Sequence, residues 1–198
     1  MSWDSQGSLD EKPLLTGIFL CGRLLGMIDI RGNSVLHGCK CGFYGDPKRE
    51  CRCSDREIHS YRSRISGPLL DRIDIHTEVP SVNYRDLSEL GKGEPSSEIR
   101  KRAIAARKIQ QTRFAGRRKL HSNAGMGAKD LQKYCRLGED AQNLLKMAIT
   151  DLNFSARAYD RILKVSRTIA DLASSEDIKP EHVSEAIQYR TLDRQLWV

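Results

Sequence analysis

The chain has 198 residues, 39 % of them hydrophobic and 30 % charged, which fits one helical domain or a small domain plus a partial one and excludes an extended membrane or disordered class. Only 6 % are aromatic, so any core rests on Leu, Ile, Val and Ala. The net charge of +7 is local: nine Lys/Arg fall between Ile99 and His121, where no Asp or Glu occurs, and the rest of the chain is slightly acidic.

Met1 to Leu36 has no clear period and reads equally as a strand, a tail or a helix. Its apolar stretch, Thr16 to Ile30, is broken by Arg23 and Asp29 and falls short of the roughly 20 residues of a bilayer span. Asp4, Asp10 and Glu11 precede it, the opposite of a basic secretory leader. The expectation is a cytoplasmic protein with no membrane partner, whose six cysteines are thiols or metal ligands rather than disulfides.

Cys39 to Ser54 is a Cys/Gly-rich loop holding Cys39-x-Cys41 and, nine residues later, Cys51-x-Cys53. Four thiolates on a short loop can complete a tetrahedral zinc site, with Gly42, Gly45 and Pro47 allowing the reversal and Lys40, Lys48, Arg49 and Arg52 offsetting the charge. One intervening residue is tighter than the usual two to four, and a turn with free cysteines is the other reading. Asp55 to Ile65 is helix-compatible, with Asp55 as cap; Ser66-Gly67-Pro68 breaks the chain. Leu69 to Arg72 reads as a short helix running into a period-two strand, Ile73 to Val79, stopped by Pro80.

After a linker from Val82 to Pro95, Ser96-Ser97-Glu98 opens a basic helix with a thin apolar stripe of Ile99, Ala103, Ala106 and Ile109, suited to lie across another surface. Its cations, Arg100, Lys101, Arg107 and Lys108, together with Arg117 and Arg118 beyond, can meet nucleic-acid phosphates or form a solvated face. Four helices then follow near Lys129–Cys135, Glu139–Asp151, Ser155–Ala173 and Pro180–Tyr189. The third has a stripe of Ala158, Ile162, Val165, Ile169 and Leu172 and a Ser155 cap; short connections make the set an antiparallel bundle. Arg157 in its first turn is a cation at an electropositive helix end, which suits a nearby anion or is an ordinary exposed arginine. Arg72, at the end of its short helix, can either reach a phosphate on an adjacent subunit or pair with Asp71 or Asp74.

The run from Cys39 to Ser54, the run Tyr61-Arg-Ser-Arg-Ile-Ser-Gly-Pro-Leu-Leu-Asp-Arg-Ile-Asp-Ile-His, the run Leu152-Asn-Phe-Ser-Ala-Arg-Ala-Tyr-Asp-Arg-Ile-Leu-Lys-Val-Ser-Arg-Thr-Ile-Ala-Asp-Leu and the closing Ala186-Ile-Gln-Tyr-Arg resemble, in order and spacing, the magnesium-chelatase-like AAA+ ATPases of bacteria, the YifB/ComM group. The resemblance covers about 39–198 and implies a mainly α fold with a few strands: the C-terminal edge of an AAA+ α/β core followed by a complete helical lid. The division expected is an unmatched segment at 1–38, a partial core with the Cys-rich loop at 39–95, the basic helix and linker at 96–127, and the lid at 128–198. The resemblance further implies an ATP- and Mg-dependent homo-hexamer, with DNA as substrate in the ComM branch. Arg72 resembles the arginine finger offered to the neighbouring subunit, and Arg157 the sensor-2 arginine laid against the lid's own nucleotide.

Two departures stand out. The family's Asn-Pro before the first cysteine, whose Asn is sensor 1, is His37-Gly38 here. No Gly-x-x-x-x-Gly-Lys-Ser/Thr phosphate loop occurs, and Gly91-Lys92-Gly93 has neither its length nor its hydroxyl. The expectation is a C-terminal fragment of such an ATPase, 1–36 being unrelated sequence, and no ATP hydrolysis by this chain alone. The alternative is a non-catalytic, zinc-containing nucleic-acid-binding or regulatory module, and a third reading is a remnant with a folded lid.

Overall fold

The computed structural model describes residues 26–28, 34–35, 38–46, 48–64, 72–77 and 93–190. Two short strands, β1 (Gly26–Ile28) and β2 (Ser34–Val35), pair antiparallel. Among the described residues they are followed by six helices: α1 (Asp55–Arg62), α2 (Ser96–Arg113), α3 (Ala128–Tyr134), α4 (Glu139–Leu152), α5 (Ala156–Leu172) and α6 (Pro180–Gln188). A 3₁₀ turn at Asn123–Gly125 precedes α3. The described chain is mainly helical, as the sequence pattern predicts. Among the described residues no helix is long and apolar enough to cross a membrane.

Helix α5 is the axis of the bundle. It packs against α2, α3, α6 and the 3₁₀ turn. Ser155 caps it as expected, its hydroxyl accepting the Ala158 N–H at 3.2 Å. The buried face differs from the expected stripe: it runs Ala158, Ile162, Ser166, Ala170 at four-residue steps, with Leu163, Arg167 and Asp171 beside it. Val165 and Ile169 are only partly buried, and Leu172 is 47 % exposed. A polar Ser166 fits this face because its hydroxyl donates to the Ile162 carbonyl at 2.8 Å. Phe114, Leu120, Met126, Leu131, Leu145 and Val183 close the core from the other elements.

Helix α2 lies across α5, as its thin stripe predicts. Ala106 of that stripe is buried and Ile109 partly so, Gln110 is buried beside them, and Ile99 is 49 % exposed. The contact is finished by a buried polar cluster centred on the Asp171 carboxylate. Arg113 donates to both its oxygens, at 2.7 and 2.5 Å, Arg167 Nε to Oδ1 at 3.1 Å and Asn123 Nδ2 to Oδ2 at 2.8 Å. Arg167 also donates to the carbonyls of Glu176 and Ser175, at 2.7 and 2.6 Å, so both guanidiniums and the carboxylate are partnered away from water. Arg113 therefore does not belong to a solvated basic face.

Three further differences are local. The cap of α1 is Ser54, not Asp55: its hydroxyl accepts the Glu57 N–H at 3.4 Å while Glu57 accepts the Ser54 N–H at 3.0 Å, and this capping box fixes the start one residue earlier. The helix stops at Arg62, short of Ile65. The strand expected from Ile73 to Val79 is irregular over its described part, 73–77. Its backbone groups go to the bundle instead of a sheet: His76 N–H donates to the Tyr189 carbonyl at 2.8 Å and the Ile73 carbonyl accepts from Arg190 at 2.5 Å. The helix expected at Leu69 to Arg72 lies outside the described residues apart from Arg72.

Candidate functional site

The first candidate is the cysteine loop. Cys39 and Cys41 flank a tight turn in which the Gly42 N–H donates to the Cys39 carbonyl at 3.1 Å, with Gly42 in the left-handed region at φ 84°. Cys51 and Cys53 return to it just before α1. All four sulfurs lie within 4.8 Å of one another, with Cys39–Cys41 at 3.3 Å and Cys51 at 3.6 Å from each. A tetrahedral site with metal–sulfur bonds of about 2.3 Å requires sulfurs about 3.8 Å apart, whereas a disulfide needs about 2.05 Å. The spacing is too wide for a disulfide and close to that of four sulfurs that could hold a metal ion.

Their acidities follow from the crowding. Hydrogen bonds from the Phe43 backbone and from Cys39 draw the Cys41 thiol down to about 6. The Cys53 backbone pulls Cys51 the same way, but desolvation and the neighbouring thiols push it up to about 12, and Cys53 also rises. One thiolate forms readily and the next meets its negative charge, a conflict that a divalent cation resolves.

The loop is stapled to α1. Arg62 Nε donates to the Gly38 carbonyl at 3.2 Å and its guanidinium lies 4.4 Å from the centre of the Tyr44 ring. A side chain at Gly38 would press on that ring at 3.1 Å, so the glycine that replaces the family's proline suits this packing. His37 lies outside the described residues. Lys40, Lys48, Arg49 and Arg52 all face solvent around the loop.

The second candidate is the N-terminal end of α5. Arg157 is exposed in its first turn. Arg161, one turn further along the same face, forms an ion pair with Asp74. Together with the backbone bonds of Ile73 and His76, this pair docks the segment carrying the exposed Arg72 onto α5 and α6. Two arginines 85 positions apart in the chain are thus carried on segments held in contact, and sequence reasoning missed the Asp74–Arg161 link that joins them. The repeat of arginine at i and i+4 in α5 is the signal that could have indicated it.

The third candidate is the solvent face of α2. Arg100, Lys101, Arg107, Lys108, Arg117 and Arg118 are all exposed. Lys101 pairs with Glu98 at 2.7 Å and Arg117 with Asp130 at 2.9 Å, while Arg100, Arg107, Lys108 and Arg118 have no acidic partner among the described residues. Neighbouring Arg102, outside the expected set, makes a two-pronged pair with Glu94 at 2.7 and 2.8 Å. Arg100 and Arg107 are two turns apart, about 10 Å along the axis.

A helical bundle with a serine-capped axial helix, and a core-edge segment docked across its end, is the C-terminal helical part of an AAA+ protein. The chain belongs to the magnesium chelatase family: 34–87 match the family described as magnesium chelatase, subunit ChlI, and 93–190 match its C-terminal counterpart. It is 40 % identical over 146 residues to the YifB protein of Salmonella typhimurium and, equally, to the competence protein ComM of Haemophilus influenzae. It is 37 % identical to the YifB protein of Escherichia coli. Each match covers 73 % of this chain and 28 % of the relative, so the chain spans a little over a quarter of the length of these curated relatives.

Proposed function

We propose that this chain is the nucleotide-responsive rear part of a YifB/ComM-type ATPase ring, contributing Arg72 to a neighbouring subunit's nucleotide and Arg157 to the nucleotide held beside its own lid. The observation that carries the reading is the pair of exposed arginines on two segments locked together by Asp74 and Arg161. A guanidinium in the first turn of α5 adds its charge to the free N–H groups of that helix end, which together favour a polyphosphate. In a ring, an arginine of one subunit stabilises the charge that spreads over the transferred phosphoryl group of the next. ATP with Mg supplies the hydrolysable bond; these residues bind and orient its phosphates. The sequence has no Gly-x-x-x-x-Gly-Lys-Ser/Thr phosphate loop and so lacks that loop's hydroxyl to hold the metal, and no hydrolysis is assigned to this chain alone.

Cys39, Cys41, Cys51 and Cys53 would hold a structural zinc ion that pins the loop against α1. The cations of α2 that have no acidic partner among the described residues would contact DNA phosphates, which would also suit a nucleic-acid-binding module; the name of the Haemophilus relative, a competence protein, is compatible with a DNA-related role.

Titration of the isotope-labelled protein with Mg–ATP checks the nucleotide reading. It should shift the side-chain Nε–H resonances of Arg72 and Arg157 together with the amides at the start of α5. Saturating nucleotide that moves neither arginine contradicts it.

A further inference from the structure

A depression of about 340 Å³ opens where α2 ends. Its floor is apolar, formed by Phe114 and Leu120, which are 3 % and 6 % exposed. Its edge is polar and cationic: Gln111, Arg118 and His121, all exposed. Gly116, in the left-handed region at φ 80°, turns the chain at the mouth, and nothing lies within 4 Å of where its Cβ would be. The Phe114 ring packs edge-on against Tyr134, with 5.5 Å between centroids, a contact that favours the open position.

The depression continues the basic face of α2. Gln111 follows Arg107 by four residues and Lys108 by three, so the three share one side of the helix. Exposed cations along one side of a helix that ends at a depression with an apolar floor match one ligand chemistry: phosphates at intervals, with a heterocycle presented free of its partner. An apolar metabolite would have no use for Arg107, one turn from Gln111, or for Arg100, two turns beyond that. A duplex would use them and leave the floor empty, since its bases are stacked inside.

We propose that this depression receives an unstacked base of a single-stranded nucleic acid whose phosphates run along Arg100, Arg107 and Lys108, with the Arg118 guanidinium stacking against the base. The proposal rests on the phosphate reading of α2 given above and adds to it a preference for single strands. The test is fluorescence anisotropy with a labelled thymidine 16-mer, the same length of duplex, and a strand carrying abasic sites, each also made as RNA to separate the two sources of single strand. Wild-type protein should bind the intact single strand about tenfold more tightly than the abasic strand. Ala115→Leu, which fills the depression from an exposed position, should abolish that difference and leave duplex binding unchanged. Gln111→Leu on the same edge serves if Ala115→Leu does not fold, as judged by its helical circular dichroism. Equal binding of intact and abasic strands by the wild type overturns the base pocket. If Arg107→Ala/Lys108→Ala weakens both strand forms while the filled variant behaves as wild type, the phosphate reading stands and the pocket falls; if the charge variants change nothing, both fall.

Discussion

At the scale of single residues, Asp171 and Ser155 show how differently a polar group acts in the core and at its edge. The Asp171 carboxylate is fully buried and bonded by Arg113, Arg167 and Asn123. Removing it leaves two guanidiniums short of an anion, and Asp171→Ala should cost about 3–5 kcal/mol in urea unfolding. Ser155→Ala removes one cap from α5 and should cost only about 1 kcal/mol in the same assay, which makes it a control for Arg157 variants. Cys135 is 5 % exposed, and burial first of all pushes its thiol up to about 11. Because the folded thiol ionises at higher pH than the unfolded one, its contribution is complete below the unfolded value and is lost as pH rises through about 11. Urea midpoints between about pH 8.5 and 11 should fall less steeply for Cys135→Ala than for the wild type.

Legibility also divides by residue. The helices α3 to α6 could be read from apolar spacing to within about a residue at each end, because packing on one face dictates both period and length. Asp171 could not: an acid inside an apolar stripe reads as solvated until Arg113, 58 positions away, is known to meet it. The strand expected from Ile73 to Val79 failed over its described part, 73–77, for a related reason. Alternation indicates an extended chain but not its partner, and here the partner is the Tyr189–Arg190 end of the bundle.

At the scale of elements, the cysteine loop and α1 form a unit with little apolar support, since no residue of α1 is buried. Its order therefore depends on the capping box, on Arg62 and on whatever the four thiols bind. Protein expressed with zinc should carry one equivalent per chain by elemental analysis, and Cys51→Ser should lose it. Metal removal by a strong chelator should erase the amide protection of 38–62 in hydrogen exchange while leaving α5 and α6 protected, because the core cluster contains no residue of the loop. The four cysteines could be named as candidate ligands from sequence because their spacing is local. That their sulfurs converge, despite an x-spacing of one, required the left-handed turn at Gly42.

At the scale of the whole molecule, the sequence points to candidate phosphate-reading arginines, and the fold shows which of their segments are held together. Arg72 and Arg157 were recognisable from the family's motifs; the contact between their segments was not. The cations of α2 could be counted, but only the structure separates Arg113, committed to the core, from Arg100, Arg107 and Lys108. Neutralising each of those three should lower the slope of log affinity for duplex DNA against log salt by about 0.9. On the reading proposed above, this chain responds to a nucleotide that it does not itself hydrolyse. Steady-state ATP hydrolysis by the purified chain decides this: no phosphate release above the protein-free blank is expected, and turnover that disappears with Arg157→Ala would overturn the reading.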